Sequence, residues 1–249
     1  GAAYATFLAQ GLSAVLSFGV FLLELRRIPE RSNGLFRFGE LRAMTRVALP
    51  SILQQSTVSI GMMLVQSVVN GFGTQILAGF SAAARIESLC IVPMAAISNA
   101  LSSYTAQNIG ASKMERVRSG FKAGLKLVWM LCLPIVALYL LGGRMLVNIF
   151  MNEPSEVAMA SGVQFLRIVS PFYFVVSCKL VSDGVLRGAG LMKEFMVATF
   201  TDLILRVGLA IALSKVLGVV GVWCAWPIGW SIAMVMSVRF YRRGPWEKA

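Results

Sequence analysis

Residues 165–190 read FLRIVSPFYFVVSCKLVSDGVLRGAG, a stretch long and apolar enough to cross a bilayer as a helix. Within it, Lys179, Asp183 and Arg187 recur at intervals of four residues, so a helix places them in one stripe with the carboxylate between two cations. A charge at membrane depth costs several kcal/mol unless it is paired or faces a watery cavity. We therefore expect this stripe to face other helices or a pore rather than lipid.

A proline lies in the same stretch, ahead of the charges. Pro171 removes one backbone hydrogen bond, so it should bend the helix there. A bent helix with inward-facing charges indicates a transport pathway more than an inert anchor.

Composition places the whole chain in the membrane. Of its 249 residues 57% are hydrophobic and only 14% are charged, and the mean hydropathy is +0.74. No alternating strand pattern of an outer-membrane barrel is present. We predict an all-α, polytopic bundle with about seven transmembrane spans, at residues 1–23, 47–70, 84–106, 122–142, 159–183, 195–214 and 217–240.

The basic residues indicate the orientation of these spans. The net charge is +12, but the cations are concentrated in the segments between apolar spans, which argues against nucleic-acid binding. If the basic connector 24–46 is cytoplasmic, inner segments hold 17 Lys and Arg residues and outer ones hold 3. The positive-inside rule then places the C-terminal tail, 244–249, in the cytoplasm.

The two ends of the chain resemble each other. Residues 1–27 and 221–243 each open on Gly, run apolar and end in paired arginines. If they are equivalent last helices of two repeats, residues 47–243 form a complete six-helix unit and residues 1–23 end another. Gly1 would then lie outside the cell, and the chain is expected to be a fragment. A short interfacial helix is predicted at 35–46.

Several kinds of chemistry are excluded by the residues that are absent. The chain has no histidine, which removes His-based catalysis and most metal sites. Its four cysteines lie singly in apolar runs, without a CxxC pair. We expect neither an enzyme nor a metal or cofactor site.

The second span carries polar residues at helical spacing. These side chains either line a cavity or hold helices together. With the charge stripe and Tyr173, they complete the substrate or ion pathway that we predict: Gln55, Ser59, Met62, Gln66, Asn70, Tyr173, Lys179, Asp183 and Arg187.

Four further charges are assigned structural roles. Arg85 and Glu87 lie at the predicted outer edge of the third span and, two residues apart, do not face each other on a helix. Asp202 and Arg206 are four residues apart in the sixth span and should pair with each other.

Taken together, five segments resemble the multidrug and toxic compound extrusion (MATE) transporters. In family order they are ALPSILQQ at 48–55, ARIESLCIVPMAAISNALSSYTAQNIGASKMER at 84–116, NIFMNEPSEVAMASGVQFLRIVSPF at 148–172, DGVLRGAG at 183–190, and a final segment at 202–230. The family has twelve spans in two six-helix lobes. The resemblance implies that this chain comprises the last helix of the first lobe, the connector and the whole second lobe.

The resemblance also implies a function. Members export bulky, often cationic organic compounds, driven by inward flow of sodium ions or protons. The expected setting is the inner (plasma) membrane of a bacterium, and the expected partners are the lipid bilayer, organic substrates and the missing first lobe. One branch carries acidic residues at the positions of Val58 and Val176, so that branch's cation site is absent here. The sequence therefore does not identify the coupling ion.

Two alternatives remain. A lipid-linked precursor flippase shares the general architecture. An intramembrane aspartyl protease would use Asp183 and Asp202, but their surroundings, VSDGV and TFTDL, lack the expected GxGD motif.

Overall fold

The computed structural model describes residues 2–27, 37–151 and 155–244. Every regular element in these ranges is helical, which confirms the all-α fold class. In chain order the elements are α1 (Ala2–Arg27), α2 (Phe38–Asn70), α3 (Thr74–Gly110), α4 (Met114–Ile149), α5 (Glu156–Val169), the 3₁₀ helix Ser170–Phe172, α6 (Tyr173–Gly188), α7 (Met192–Leu217) and α8 (Val219–Arg242).

Seven helical stretches in the described ranges are long and apolar enough to cross a membrane, as predicted. One of them, Glu156–Gly188, contains both α5 and α6. The 3₁₀ turn that separates them includes Pro171, so the predicted distortion lies where the proline removes a backbone donor.

The chain divides into two compact units, Gly1–Met44 and Thr45–Ala249. In the first unit, the described side chains of α1 are exposed, including large apolar ones such as Phe7 and Leu12. An all-round apolar surface of this kind suits a helix surrounded by lipid or by other spans. The second unit holds the buried core described below.

Two predicted spans were too short. The span expected at 84–106 is α3, which begins ten residues earlier, and the span expected at 122–142 is α4. A span predicted from hydropathy ends at charged and small polar residues. The helix itself continues beyond the hydrocarbon core, because its backbone hydrogen bonds are made within the helix. The turns are correspondingly short, at 71–73, 111–113 and 189–191.

The predicted short helix at 35–46 is also corrected. Its described part, from Phe38, is the beginning of α2, a helix of 33 residues. The helix breakers Pro29 and Gly34 precede this point, and nothing in 38–46 stops a helix. Residues 28–36 of the connector and 245–249 of the tail lie outside the described residues.

An aromatic cluster occupies the core of the second unit. Phe80 of α3 stacks on Trp223 of α8, with ring centroids 5.3 Å apart. Phe165 of α5 meets the same tryptophan edge-on at 5.2 Å, and Trp226 lies 5.5 Å from Phe165. These contacts join three helices, and the offset and edge-on geometries are those that aromatic pairs prefer.

Two glycines bring α6 close to α3. A Cβ at Gly184 would lie 2.6 Å from the carbonyl oxygen of Ser98, and one at Gly188 would collide with the carbonyl oxygen of Ser102. Small residues at a helix interface permit such backbone approach. The charged stripe of α6 is thereby positioned against the polar residues of α3.

Candidate functional site

The charge stripe of α6 forms a buried ion pair. Lys179 Nζ lies 2.6 Å from Asp183 Oδ2, and their side chains are only 6% and 3% exposed. The i, i+4 spacing makes this contact possible within one turn of the helix. Of the two cations that flank the carboxylate in the predicted stripe, Lys179 is thus one that pairs with it.

The second oxygen of this carboxylate is also occupied. Ser237 of α8 donates a hydrogen bond from its Oγ to Asp183 Oδ1 at 2.6 Å, and Ser237 is fully buried. The carboxylate thus links α6 to α8. Sequence reasoning missed Ser237, because a single serine in an apolar helix carries no pattern that assigns it a partner 54 residues away.

The third member of the stripe makes different contacts. Arg187 donates from Nη2 to Ser98 Oγ at 3.0 Å, and its guanidinium lies 5.4 Å from the centre of the Phe195 ring. Ser98 Oγ in turn donates to the carbonyl oxygen of Leu180 at 2.6 Å. Among the described residues Arg187 has no ion pair within 4.0 Å. Ser98 was not predicted as a site residue.

These charges border a polar cavity of about 240 Å³ within the second unit. Side chains from four helices surround it, which places one predicted pathway residue of α2 beside the stripe. The lining residues are Gln54, Gln55, Ala95, Ser98, Asn99, Lys179, Leu180, Asp183, Arg187, Phe195 and Thr199.

The other predicted polar residues of α2 lie on the surface of the unit. Ser59, Gln66 and Asn70 are exposed, and Met62 is half-buried. The packed side of the helix lies next to this polar face and is formed by small apolar residues such as Val65 and Val69. The polar face is thus available to a further element rather than used inside this unit.

Tyr173 is placed differently from the other predicted pathway residues. It is fully buried, and its ring lies 6.0 Å from those of Tyr139 and Trp230. It does not line the cavity beside Asp183. The structure therefore brings together Gln55, Lys179, Asp183 and Arg187, but not Tyr173.

The second predicted pair, between Asp202 and Arg206 of α7, is confirmed at 2.5 Å. Arg206 also lies over the Trp226 ring, 5.8 Å from its centre. Each aspartate of the two ion pairs thus has its own cation, and only Asp183 of the two lines the polar cavity.

Glu87 does not lie at the edge of a span. It is buried, 7% exposed, whereas Arg85 is exposed. Because α3 begins at Thr74, Glu87 lies about 20 Å along the helix, at 1.5 Å per residue. It is close enough to Arg206 to interact electrostatically. The sequence prediction placed it at the margin because it began the helix too late.

A buried ion pair beside a polar cavity in an apolar helix bundle is typical of a membrane transport protein. A family model named MatE matches residues 50–212. The chain belongs to the MatE family. Within the described ranges, this MatE chain has no cluster of three or more His, Cys, Asp or Glu side chains that could hold a metal ion.

Curated relatives of this MatE chain support the assignment. It is 28% identical over 249 residues to the "Probable multidrug resistance protein YpnP" of Bacillus subtilis, covering 99% of this chain and 55% of that protein. It is 24% identical over 254 residues to the "Probable multidrug resistance protein NorM" of Thermotoga maritima, covering 100% and 54%. The chain thus spans about half the length of these relatives.

Solved structures of MATE transporters are similar to this chain as well. A MATE in the straight conformation superposes with a TM-score of 0.86 at 25% identity, covering 100% of this chain and 57% of that one. An outward-facing multidrug resistance MATE transporter of the MOP superfamily gives 0.80 at 26% identity, covering 89% and 50%.

Proposed function

We propose that this MatE chain is the second lobe of a multidrug transporter, together with the last helix of the first lobe. The assembled protein exports bulky organic compounds, often cationic, in exchange for sodium ions or protons. The observation that carries the proposal is the buried Lys179–Asp183 pair beside a polar cavity that α2 helps to line. The descriptions of the curated relatives as multidrug resistance proteins support the same activity.

The buried pair is suited to a helix that must move. Removing two charges from water is costly, and a well-packed apolar pair would be at least as stable. Asp183 holds Lys179 on its own helix and Ser237 on α8. The packing of α6 therefore depends on a charged contact within the helix and on a hydrogen bond to α8, both made by one carboxylate.

The exposed polar face of α2 also supports the proposed function. Transporters of repeat architecture bind substrate between two lobes that rock against each other. The amides of Gln66 and Asn70 would be unfavourable against lipid but not against a water-filled cleft, whereas the Ser59 hydroxyl already donates to the Gln55 carbonyl oxygen. We therefore assign this face to the cleft between this lobe and the first lobe.

Separate observations support the membrane and the orientation. The relatives come from bacteria, which supports a bacterial inner (plasma) membrane location. The excess of Lys and Arg in the segments assigned to the inside supports a cytoplasmic C-terminus.

Transport by reconstituted protein tests this function. The chain and a first lobe are incorporated together into liposomes, and ethidium movement is followed while a sodium or proton gradient is imposed. We expect a gradient of one ion to drive ethidium against its concentration, and an ionophore for that ion to stop it. Movement of a lipid-linked precursor without any movement of ethidium would favour the flippase instead.

A further inference from the structure

The cavity of the second unit carries more positive than negative charge. Lys179 and Arg187 both line it, and Asp183 is the one acidic residue in its lining. Lys179 and Asp183 neutralise each other at 2.6 Å. Both oxygens of Asp183 are already engaged, by Lys179 and by Ser237. The cavity lining therefore carries a net positive charge, which is that of Arg187.

Arg187 also has a buried hydrogen-bond donor without a partner among the described residues. Of its donors, Nη2 bonds to Ser98, while Nε is buried and has no partner among the described residues. A buried donor without a partner is unfavourable. A guanidinium presents several donors in one plane, an arrangement that matches a carboxylate or phosphate.

A second group with an unused hydrogen bond lines the same cavity. Thr199 of α7 is 5% exposed, and its hydroxyl has no partner within the part of the chain that the structure describes. Gln54, Gln55 and Asn99 line the same space, and their side-chain amides are able to donate as well. Residues with donor groups thus line the cavity from α2, α3, α6 and α7.

From these observations we propose that the cavity is a subsite for an anionic group, a carboxylate or a phosphate, on an organic ligand. Arg187 supplies the charge, and Thr199 and the neighbouring amides supply neutral donors. A bare cation is a poor occupant, because Lys179 and Arg187 would repel it and Lys179 already neutralises Asp183. This inference rests on the proposed transport function, to whose substrates it adds compounds that carry an acidic group.

The size of the cavity fits one end of a ligand. At about 240 Å³ it is smaller than the ~300–1,000 Å³ of pockets that enclose a drug-sized molecule. The anionic group would enter it, and the bulky remainder would lie along the exposed face of α2. A zwitterion with a large aromatic part meets both requirements.

Two matched dyes test the subsite without requiring transport. Rhodamine 110 carries a free carboxylate, and rhodamine 123 is its methyl ester, so they differ mainly at the group that the cavity would bind. Fluorescence polarisation measures the affinity of each for the 249-residue chain assembled with a first lobe in lipid nanodiscs. We expect rhodamine 110 to bind about tenfold more tightly, the value of one charge-assisted hydrogen bond. Equal affinities, or tighter binding of the ester, would overturn the proposal.

Variants test which residues cause the preference for rhodamine 110 over rhodamine 123. Arg187→Gln should abolish it, Arg187→Lys should retain part of it, and the near-isosteric Thr199→Val should reduce it. Arg144→Gln is the matched control, because Arg144 is exposed and pairs with Glu156 away from this cavity. Helix content and elution as a single species establish that each variant is folded.

Each outcome is decisive. A preference that persists in folded Arg187→Gln and Thr199→Val would contradict the subsite, and so would its loss in Arg144→Gln. If Arg187→Gln fails to fold, Thr199→Val alone decides. A chain that shows the preference but does not transport with a first lobe would refute the proposed function and leave the subsite standing.

Discussion

Replacing Asp183 by Asn should reduce transport to near background while protein remains in the membrane. The amide can still accept the hydrogen bond from Ser237, but it cannot neutralise Lys179. A buried charge that loses its partner costs about 3–5 kcal/mol. Here the adjoining cavity gives Lys179 access to water, so we expect transport to suffer more than the amount of protein. Ethidium resistance per membrane-inserted molecule is the measurement.

The matched control is Asp202→Asn, which breaks the other buried pair. Because Asp202 does not line the polar cavity, its loss should lower the membrane level and leave transport per molecule largely unchanged. Equal effects of the two substitutions on transport per molecule would contradict a special role for Asp183.

The double change Lys179→Leu with Asp183→Leu separates a structural role from a mechanistic one. Removing both charges also removes their desolvation cost, so the membrane level should recover. Transport should not recover if the carboxylate takes part in the transport cycle. Recovery of transport in the double variant would reduce the pair to a structural element.

The second prediction concerns export by the 249-residue chain without a first lobe. We expect the 249-residue chain alone to give no export, because alternating access needs two lobes around a common cleft. Without an opposing wall, the polar face of α2 would meet lipid, where each unpaired polar group costs several kcal/mol. The chain should be poorly stable, pair with itself, or depend on a first lobe.

Export is measured by the growth, in the presence of ethidium, of drug-sensitive cells that lack their own efflux pumps. Cells expressing the chain with a first lobe should resist ethidium, and cells expressing either lobe alone should not. Resistance from the chain alone at normal membrane levels would contradict the claim, unless cross-linking showed two copies of the chain acting as a pair.

Local spacing predicted the parts of the site that lie on one helix. The pairs of Lys179 with Asp183 and of Asp202 with Arg206 follow from an i, i+4 interval and from the cost of unpaired charge in a membrane. The break at Pro171 likewise follows from a missing backbone donor. Such features depend on sequence neighbours alone, so the sequence is sufficient to predict them.

Contacts between helices could not be predicted in this way. Ser98 and Ser237 meet the stripe of α6 from α3 and α8, and nothing in their own surroundings in the sequence indicates this. The depth of Glu87 was missed for another reason. Hydropathy locates the apolar centre of a helix, whereas a helix ends where its backbone changes conformation.

The most direct test of the account asks whether the polar face of α2 lines a water-filled pathway. Single cysteines are placed at Ser59 and at its neighbour Ile60 in a chain whose native cysteines have been replaced, and the chain is assembled with a first lobe. Both positions are exposed in this unit, and Ile60 is 57% exposed. They lie at the same depth but about 100° apart around the helix. A hydrophilic maleimide then reports which side meets water.

We predict that the cysteine at position 59 reacts readily and that rhodamine 110 slows its labelling, whereas the cysteine at position 60 faces lipid and stays unlabelled. Equal labelling at the two positions, or labelling at 60 and not at 59, would contradict a transport pathway along this face.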